Sequence, residues 1–225
     1  MNLISRIFKN KKRIILSPLE VSSKETHLDY SPKGIRVLFI SDTHDYLTED
    51  IKFDILTQNY DAVICLGDHG RELEYISKYV PEQIPIYGIL GNHDLKDTYE
   101  QYPRIQNVGN TVFTLSAGDN KITIAAFEGS FKYKDVSNAP LYTQEEYKSI
   151  ISKLPGADIC IGHPAPYDGT NAACASHQGI YAITEYLDKY NVPIYIHGHL
   201  HEPGTSYLKN GTKDICVYQD KIILI

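Results

Sequence analysis

Five short apolar runs recur along this chain, and each ends in a residue that can bind a metal ion. The runs are rich in β-branched and aliphatic side chains and are closed by polar residues or glycine, which is typical of buried strands. They read IRVLFISD, DAVICLGD, IPIYGILGNHD, ADICIGH and VPIYIHGH. A fold with these strands must bury a sheet on both faces.

Segments with helical character separate the apolar runs, over residues 48–59, 71–80, 143–154 and 177–190. The third begins with a capping box, in which Thr143 is followed by Glu146, and Pro155-Gly156 ends it. Strands that alternate with helices predict a layered α/β fold.

Two further stretches interrupt this alternation. TVFTLSAGDNKITIAAF is expected to form a hairpin that turns near Gly118, and SYLKNGTKDICVYQDKIILI contains turn signals at Asn210-Gly211 and near Gln219. Because hairpins pair strands antiparallel, we expect mixed sheets and not purely parallel ones.

The first 33 residues lack sustained periodicity and end at the turn-like Ser31-Pro32-Lys33-Gly34. We therefore expect an N-terminal leader over residues 1–33 and one folded domain over residues 34–225. The leader mixes apolar and basic residues. We expect a solvated segment, with weak contact to an anionic membrane surface through a short amphipathic helix as the alternative. No apolar stretch approaches the ~20 residues that a transmembrane helix needs.

The overall charge argues against a general nucleic-acid binder. The formal net charge is −6 and the isoelectric point is near 5.8, whereas such binders normally present a basic surface. A local basic groove for nucleic acid or a nucleotide stays open. The four cysteines form no CxxC pair, and no secretory leader precedes them, so we expect reduced thiols and a cytoplasmic protein.

The polar residues at the strand ends form one candidate metal site. Ligands distant in sequence can meet there, because sites in α/β proteins gather beyond the carboxyl ends of strands. Imidazole, carboxylate and amide ligands together suit Mn, Fe, Co, Ni or Zn. A central carboxylate such as Asp68 can bridge two ions. The candidates are Asp42, His44, Asp68, Asn92, His93, His163, His197 and His199.

The order of these blocks is more specific than any one of them. DxH, GD, GNHD, GH and GHxH follow one another over residues 35–202, and this series resembles the calcineurin-like metallophosphoesterase superfamily. The resemblance implies a four-layer α/β/β/α sandwich with two mixed sheets. It also implies two divalent transition-metal ions, with Mn²⁺ favoured and Fe, Zn, Ni or Co as alternatives.

The resemblance also implies a role for each residue. His93 would not bind metal but would face the scissile phosphate, where it would protonate the leaving oxygen or stabilise developing charge. The two ions would lower the pKa of a shared water and so supply hydroxide near neutral pH. One ion would be bound by Asp42, His44 and His199, the other by Asn92, His163 and His197, and both by Asp68.

Other residues near the motifs have less specific interpretations. His197 and His199 alternate at a strand end and are expected to share a face. Asp94 is expected to orient a neighbour or cap the segment after it. His201 is expected to be exposed, as is His27. His69 and His177 could line the substrate site or be purely structural.

The sequence differs from that of the family's phosphoprotein phosphatases, and the difference narrows the range of expected substrates. Those proteins carry GDxVDRG, whereas this chain reads GDHGREL, with Arg71 but without the second aspartate. The resemblance therefore implies hydrolysis of phosphate esters, most readily phosphodiesters. The alternatives are a phosphomonoesterase, a small nuclease, or a scaffold that keeps the fold and binds a protein partner.

Overall fold

A computed structural model describes residues 34–136, 138–169 and 175–225, and the predicted leader lies outside them. Four α-helices are described: α1 (Glu49–Thr57), α2 (Glu72–Tyr79), α3 (Gln144–Ile151) and α4 (Tyr181–Tyr190). Short 3-10 helices cover Thr98–Gln101 and Ala175–His177. The described strands are β1 (Arg36–Ser41), β2 (Ala62–Cys65), β3 (Ile86–Gly88), β4 (Ile105–Asn107), β5 (Thr111–Ala117), β6 (Asn120–Phe127), β7 (Ser130–Phe131), β8 (Leu141–Tyr142), β9 (Ile159–Gly162), β10 (Ile194–His197), β11 (Gly204–Tyr207), β12 (Lys213–Cys216) and β13 (Gln219–Leu224).

The strands form two large mixed sheets, as the turn signals predict. The first has the order β13-β1-β2-β3-β4, in which only β13 runs antiparallel to its neighbour. The second has the order β11-β12-β10-β9-β6-β5, with β11 and β5 antiparallel at its two edges. β7 and β8 pair separately, in parallel.

Alternating side chains of the strands build a core between the two sheets. Val37 and Phe39 of β1 point into this core, where they join Ile161 of β9 and Ile196 of β10. All four are buried. Alternate residues of a strand share a face, because successive side chains point to opposite sides. The inward set therefore fills the space between the sheets.

The opposite faces of the sheets carry the helices. Leu38 and Ile40 of β1 pack with α1 and α2, through residues such as Ile51 and Ile76. On the other sheet, Phe127 packs with side chains of α3 and α4. Helices on both outer faces and two sheets inside give the predicted four-layer α/β/β/α order.

Local signals in the sequence account for the helix ends. Thr143 Oγ1 accepts a hydrogen bond from the Glu146 backbone at 3.1 Å, and Glu146 Oε2 accepts one from the Thr143 backbone at 2.7 Å. This is the predicted capping box. At the end of α4, Asn191 adopts a left-handed conformation with φ of 50°, a common way for a helix to stop.

Within the described residues, no helix is both long and apolar enough to cross a membrane.

Candidate metal centre

The site lies where strands of both sheets end. Asp42 directly follows β1, and Asp68 and Asn92 lie in the loops after β2 and β3. In the second sheet, His163 directly follows β9. β1, β2 and β3 run parallel to one another, as do β9 and β10, so their carboxyl ends bring the loops together.

Backbone hydrogen bonds tie the first two loops to each other. The Asp42 amide donates to the Gly67 carbonyl at 3.0 Å, and the His44 amide donates to the Asp68 carbonyl at 2.9 Å. Asp42, His44 and Asp68 all have positive φ, at 55°, 44° and 59°. Such backbone is unfavourable for residues other than glycine and is concentrated at functional sites. The loop pairing holds it in place.

The first ligand group consists of Asp42, His44 and His201, whose candidate ligand atoms lie within 4.8 Å of one another. His201 Nε2 is 3.2 Å from Asp42 Oδ1 and 3.1 Å from His44 Nε2. Asp42 Oδ2 accepts hydrogen bonds from Ser41 and from the His199 amide. Its buried Oδ1 makes no hydrogen bond with any residue that the structure describes. A cation would satisfy this atom.

The second group consists of Asp42, Asp68 and His163, again within 4.8 Å of one another. His163 Nε2 lies 3.4 Å from Asp68 Oδ2 and 3.0 Å from Asn92 Oδ1. The other ring nitrogen, Nδ1, is 2.7 Å from the Leu66 carbonyl. The carbonyl accepts a hydrogen bond from Nδ1–H, which leaves Nε2 directed at two oxygens, as in metal-bound histidines.

The pKa values of the second group show how strongly Asp68 and His163 interact. Burial alone would lower the pKa of His163, but the Asp68 carboxylate outweighs burial and raises that pKa to about 9. Burial alone would raise the pKa of Asp68, but His163 holds it well below its usual range. A proton on Nε2 holds these acceptors together. A divalent cation can replace that proton.

His199 lies beside the second group. Its ring is 4.9 Å from that of His163 between centroids, and its Nε2 is 2.7 Å from the Ser176 carbonyl. Burial lowers the pKa of His199 to about 3, so the ring is neutral near pH 7. With the proton on Nε2, Nδ1 presents a lone pair, the form that binds metals.

The predicted pairing of His197 with His199 on one face is wrong. β10 ends at His197, and His199 has a φ of 71°, so the alternation of a strand does not continue. His197 Nδ1 is 2.8 Å from the Gly198 carbonyl and Nε2 is 3.3 Å from Asp214, so both ring nitrogens contact groups outside the two ligand groups.

His201 is the residue that the sequence interpretation missed. It is exposed as expected, yet its ring lies against Asp42 and His44. The signal was present in the chain, because Gly198-His199-Leu200-His201 is itself a GHxH block. Strand alternation favours His197 and His199 instead, but β10 ends at His197.

The remaining motif residues surround the ligand groups. His93 is exposed, its ring centroid is 5.2 Å from that of His44, and its amide donates to Asp68 Oδ1 at 2.7 Å. Asp94 Oδ2 accepts from the amides of Asp68 and Gly91, both at 2.8 Å, so it orients its neighbours as predicted.

His69 and His177, two further histidines near the ligand groups, differ in their burial and contacts. His69 is buried, with Nδ1 3.1 Å from Thr43 Oγ1, and it joins the first two loops. Burial lowers its pKa to about 4. His177 is exposed and its ring lies 5.1 Å from that of His199, beside the site.

The sequence pattern of the calcineurin-like phosphoesterase family matches residues 35–203, which include both ligand groups. The chain belongs to the calcineurin-like phosphoesterase family. Members of this family use divalent metal ions to hydrolyse phosphate esters, and the carboxylate, imidazole and amide donors of this site fit such ions. No curated protein matches the sequence of this chain significantly.

Solved structures share the fold at low sequence identity. The protein TT1561 of Thermus thermophilus is 13% identical, with a TM-score of 0.56 over 83% of this chain and 90% of that one. A phosphopantetheinyl hydrolase from Mycobacterium tuberculosis is 14% identical, with a TM-score of 0.56 over 83% and 90%. A dimetal phosphatase from Danio rerio is 12% identical, with a TM-score of 0.52 over 83% and 88%. These likenesses show the calcineurin-like phosphoesterase fold.

Proposed function

We propose that this protein is a dimetal phosphodiesterase. The observation that carries the proposal is the convergence of two adjoining ligand groups, which share Asp42, at an edge where His93 is exposed. One ion would be held by Asp42, His44 and His201, the other by Asn92, His163 and His199, and both by Asp68. This set takes His201 in place of His197.

The chemistry divides between the ions and the chain. When bound, two divalent ions lower the pKa of a water and offset the charge of the phosphoryl oxygens, and Mn²⁺ is our favoured ion. The water oxygen forms a bond to phosphorus while the bond from phosphorus to the leaving oxygen breaks. His93, which is exposed beside His44, would give that leaving oxygen its proton.

Few of the described arginines lie near the site motifs, and this scarcity favours a diester over a monoester. A diester phosphate carries one negative charge, whereas a monoester carries about −1.5 to −2 near pH 7. Of the three described arginines, Arg36 contacts the Asn59 carbonyl and Arg104 contacts carbonyls including that of Ser77. Only Arg71 follows a site motif within the described ranges. Among the described arginines, Arg71 alone is therefore available to pair with the extra negative charge of a monoester.

The cysteines support a reducing compartment such as the cytoplasm. Cys65, Cys160 and Cys216 are free and buried. Burial raises the pKa of each thiol, so all three are held as inert neutral thiols.

Hydrolysis of two chromogenic esters tests the proposal. Chelator-stripped protein is assayed on bis-p-nitrophenyl phosphate and p-nitrophenyl phosphate with and without Mn²⁺. We expect Mn²⁺-dependent cleavage with a preference for the diester, and a loss of about 10²–10⁴-fold in rate for His93→Ala. Tyr207→Phe is the control, because Tyr207 is 70% exposed on β11 and lies outside the motif blocks, so its variant should keep the wild-type rate.

Other outcomes of this assay point elsewhere. Faster cleavage of the monoester would contradict the diesterase and support a phosphomonoesterase. Diester cleavage that extends to oligonucleotides would indicate a small nuclease. If no ester is hydrolysed with any of Mn, Fe, Co, Ni or Zn, the proposal that the protein is an enzyme is wrong, and a protein-binding scaffold is favoured.

A further inference from the structure

A tyrosine outside all five motif blocks contacts a proposed metal ligand. The side-chain nitrogen of Asn92, Nδ2, lies 3.3 Å from the hydroxyl oxygen of Tyr133. Asn92 is only 4% exposed and Tyr133 is half-buried. The amide therefore donates to the phenol, in a part of the site that solvent reaches poorly.

The two ends of the Asn92 amide differ in what they can bind. Oδ1 can bind a cation, whereas Nδ2 carries two protons and cannot. In the structure, Oδ1 lies 3.0 Å from His163 Nε2, on the side where the second ion would sit. A rotation of the amide by 180° would place Nδ2 there instead and remove the ligand.

The Tyr133 hydroxyl opposes this rotation. It gives the buried Nδ2 group an acceptor, and a buried donor without one is costly. If the hydroxyl is absent, the buried Nδ2 group loses this acceptor, and the orientation with Oδ1 toward His163 loses a hydrogen bond that favours it. Tyr133 thus makes the metal-binding orientation the better hydrogen-bonded one.

The segment that carries Tyr133 is anchored. β7 pairs with β8, and the Lys132 amide donates to the Tyr142 carbonyl at 2.9 Å. The Lys134 ammonium lies 5.0 Å from the centre of the Tyr133 ring, and Lys132 pairs with Asp135 at 2.7 Å. These contacts fix the backbone on the N-terminal side of Tyr133 and restrict its ring.

We propose that Tyr133 is a positioning residue that holds the Asn92 amide with Oδ1 toward the metal. The inference rests on the proposed function, since it requires Asn92 to bind an ion. The segment after β7, which lies outside the motif blocks, would thereby contribute to metal affinity. Tyr133 acts through Asn92 and not on the substrate.

Calorimetric titration of Mn²⁺ into chelator-stripped protein tests the proposal. Tyr133→Phe removes only the hydroxyl oxygen, and we expect the affinity for one of two Mn²⁺ ions to fall about tenfold, as for other residues that orient metal ligands. Tyr207→Phe is the matched control. Tyr207 is 70% exposed on β11, and its variant should bind Mn²⁺ as the wild type does.

A second background separates amide orientation from general damage. In Asn92→Asp the ligand is a carboxylate, whose two oxygens are equivalent, so its orientation needs no hydroxyl. We expect Tyr133→Phe to change Mn²⁺ affinity less than twofold in this background. An equal loss in both backgrounds would overturn the mechanism, because Tyr133 would then act without the amide.

Two outcomes separate this inference from the proposed function. If the wild type binds two Mn²⁺ ions and Tyr133→Phe binds them equally well, the role of Tyr133 is wrong while the dimetal site stands. If the wild type binds no divalent metal, both fall. Thermal melting of metal-free Tyr133→Phe should match that of the wild type, so a loss of affinity cannot be attributed to unfolding.

Discussion

Replacing His201 with alanine should remove metal affinity and leave stability unchanged. His201 Nε2 is one of three ligand atoms in the first group, 3.2 Å from Asp42 Oδ1 and 3.1 Å from His44 Nε2. Removing residues that only orient a ligand already costs 10–100-fold in affinity. Loss of a ligand should cost at least about 100-fold, or about 2.8 kcal/mol. Because the side chain is 45% exposed, unfolding of the metal-free protein should change by less than about 0.5 kcal/mol.

His197→Ala is the matched comparison and should behave in the opposite way. His197 is only 1% exposed, stacks on Tyr195 with ring centroids 5.5 Å apart, and pairs with Asp214. Truncation leaves a cavity and a largely buried carboxylate without its partner. We expect a loss of about 2–4 kcal/mol in unfolding free energy. Both Mn²⁺ ions should still bind.

Two measurements on the same samples decide between these residues. Mn²⁺ titration by calorimetry gives the number and affinity of bound ions. Urea unfolding in the presence of chelator gives stability without the contribution of bound metal. If His197→Ala loses an ion while His201→Ala keeps two at wild-type affinity, our assignment of the ligand set is refuted.

Two further predictions concern a glycine and the effect of pH. Gly198→Ala should abolish binding of one ion in the same titration, because its Cβ would lie 2.6 Å from Asp42 Oδ2 and displace that carboxylate. The metal-free protein should be most stable near pH 6.5 in urea titrations. Burial lowers the pKa of His69 to about 4, so stability is lost as pH falls from 6.5 toward 4. Against the effect of burial, Asp68 raises the pKa of His163 to about 9, so stability is also lost as pH rises from 6.5 through 9.

Each of these predictions has its own control. Gly204→Ala is suitable for the glycine, since the nearest atom to its added Cβ is 3.9 Å away, and it should bind both ions. Saturating Mn²⁺ should weaken the alkaline loss of stability, because a cation replaces the His163 proton. A pH profile that is flat from 4 to 9 without metal would contradict the assigned pKa shifts.

Local patterns in the sequence predicted the elements of the fold well. The apolar runs became β1, β2, β3, β9 and β10, and the four helical segments became α1 to α4 with ends shifted by a few residues. The Gly118 turn joins β5 and β6 as expected. These features depend on periodicity and turn chemistry within a few residues, which the sequence states directly.

The turn near Gln219 had a consequence that local patterns could not show. It carries the chain out of the second sheet and into the first, where β13 pairs antiparallel with β1. Strand β12 instead pairs with β10 and β11. Which strands pair depends on which buried faces of the protein meet. The sequence of the turn does not contain that information.

The sequence alone determined which metal-binding side chains stand at the strand ends, because the chemistry of a donor is a property of the side chain and the strand patterns are local. Tertiary structure decided which histidines of His197-Gly198-His199-Leu200-His201 turn toward the site. The strand ends at His197, and the left-handed backbone at His199 and His201 redirects their rings. It also brought Tyr133 to Asn92, a contact across 41 residues that no local period encodes.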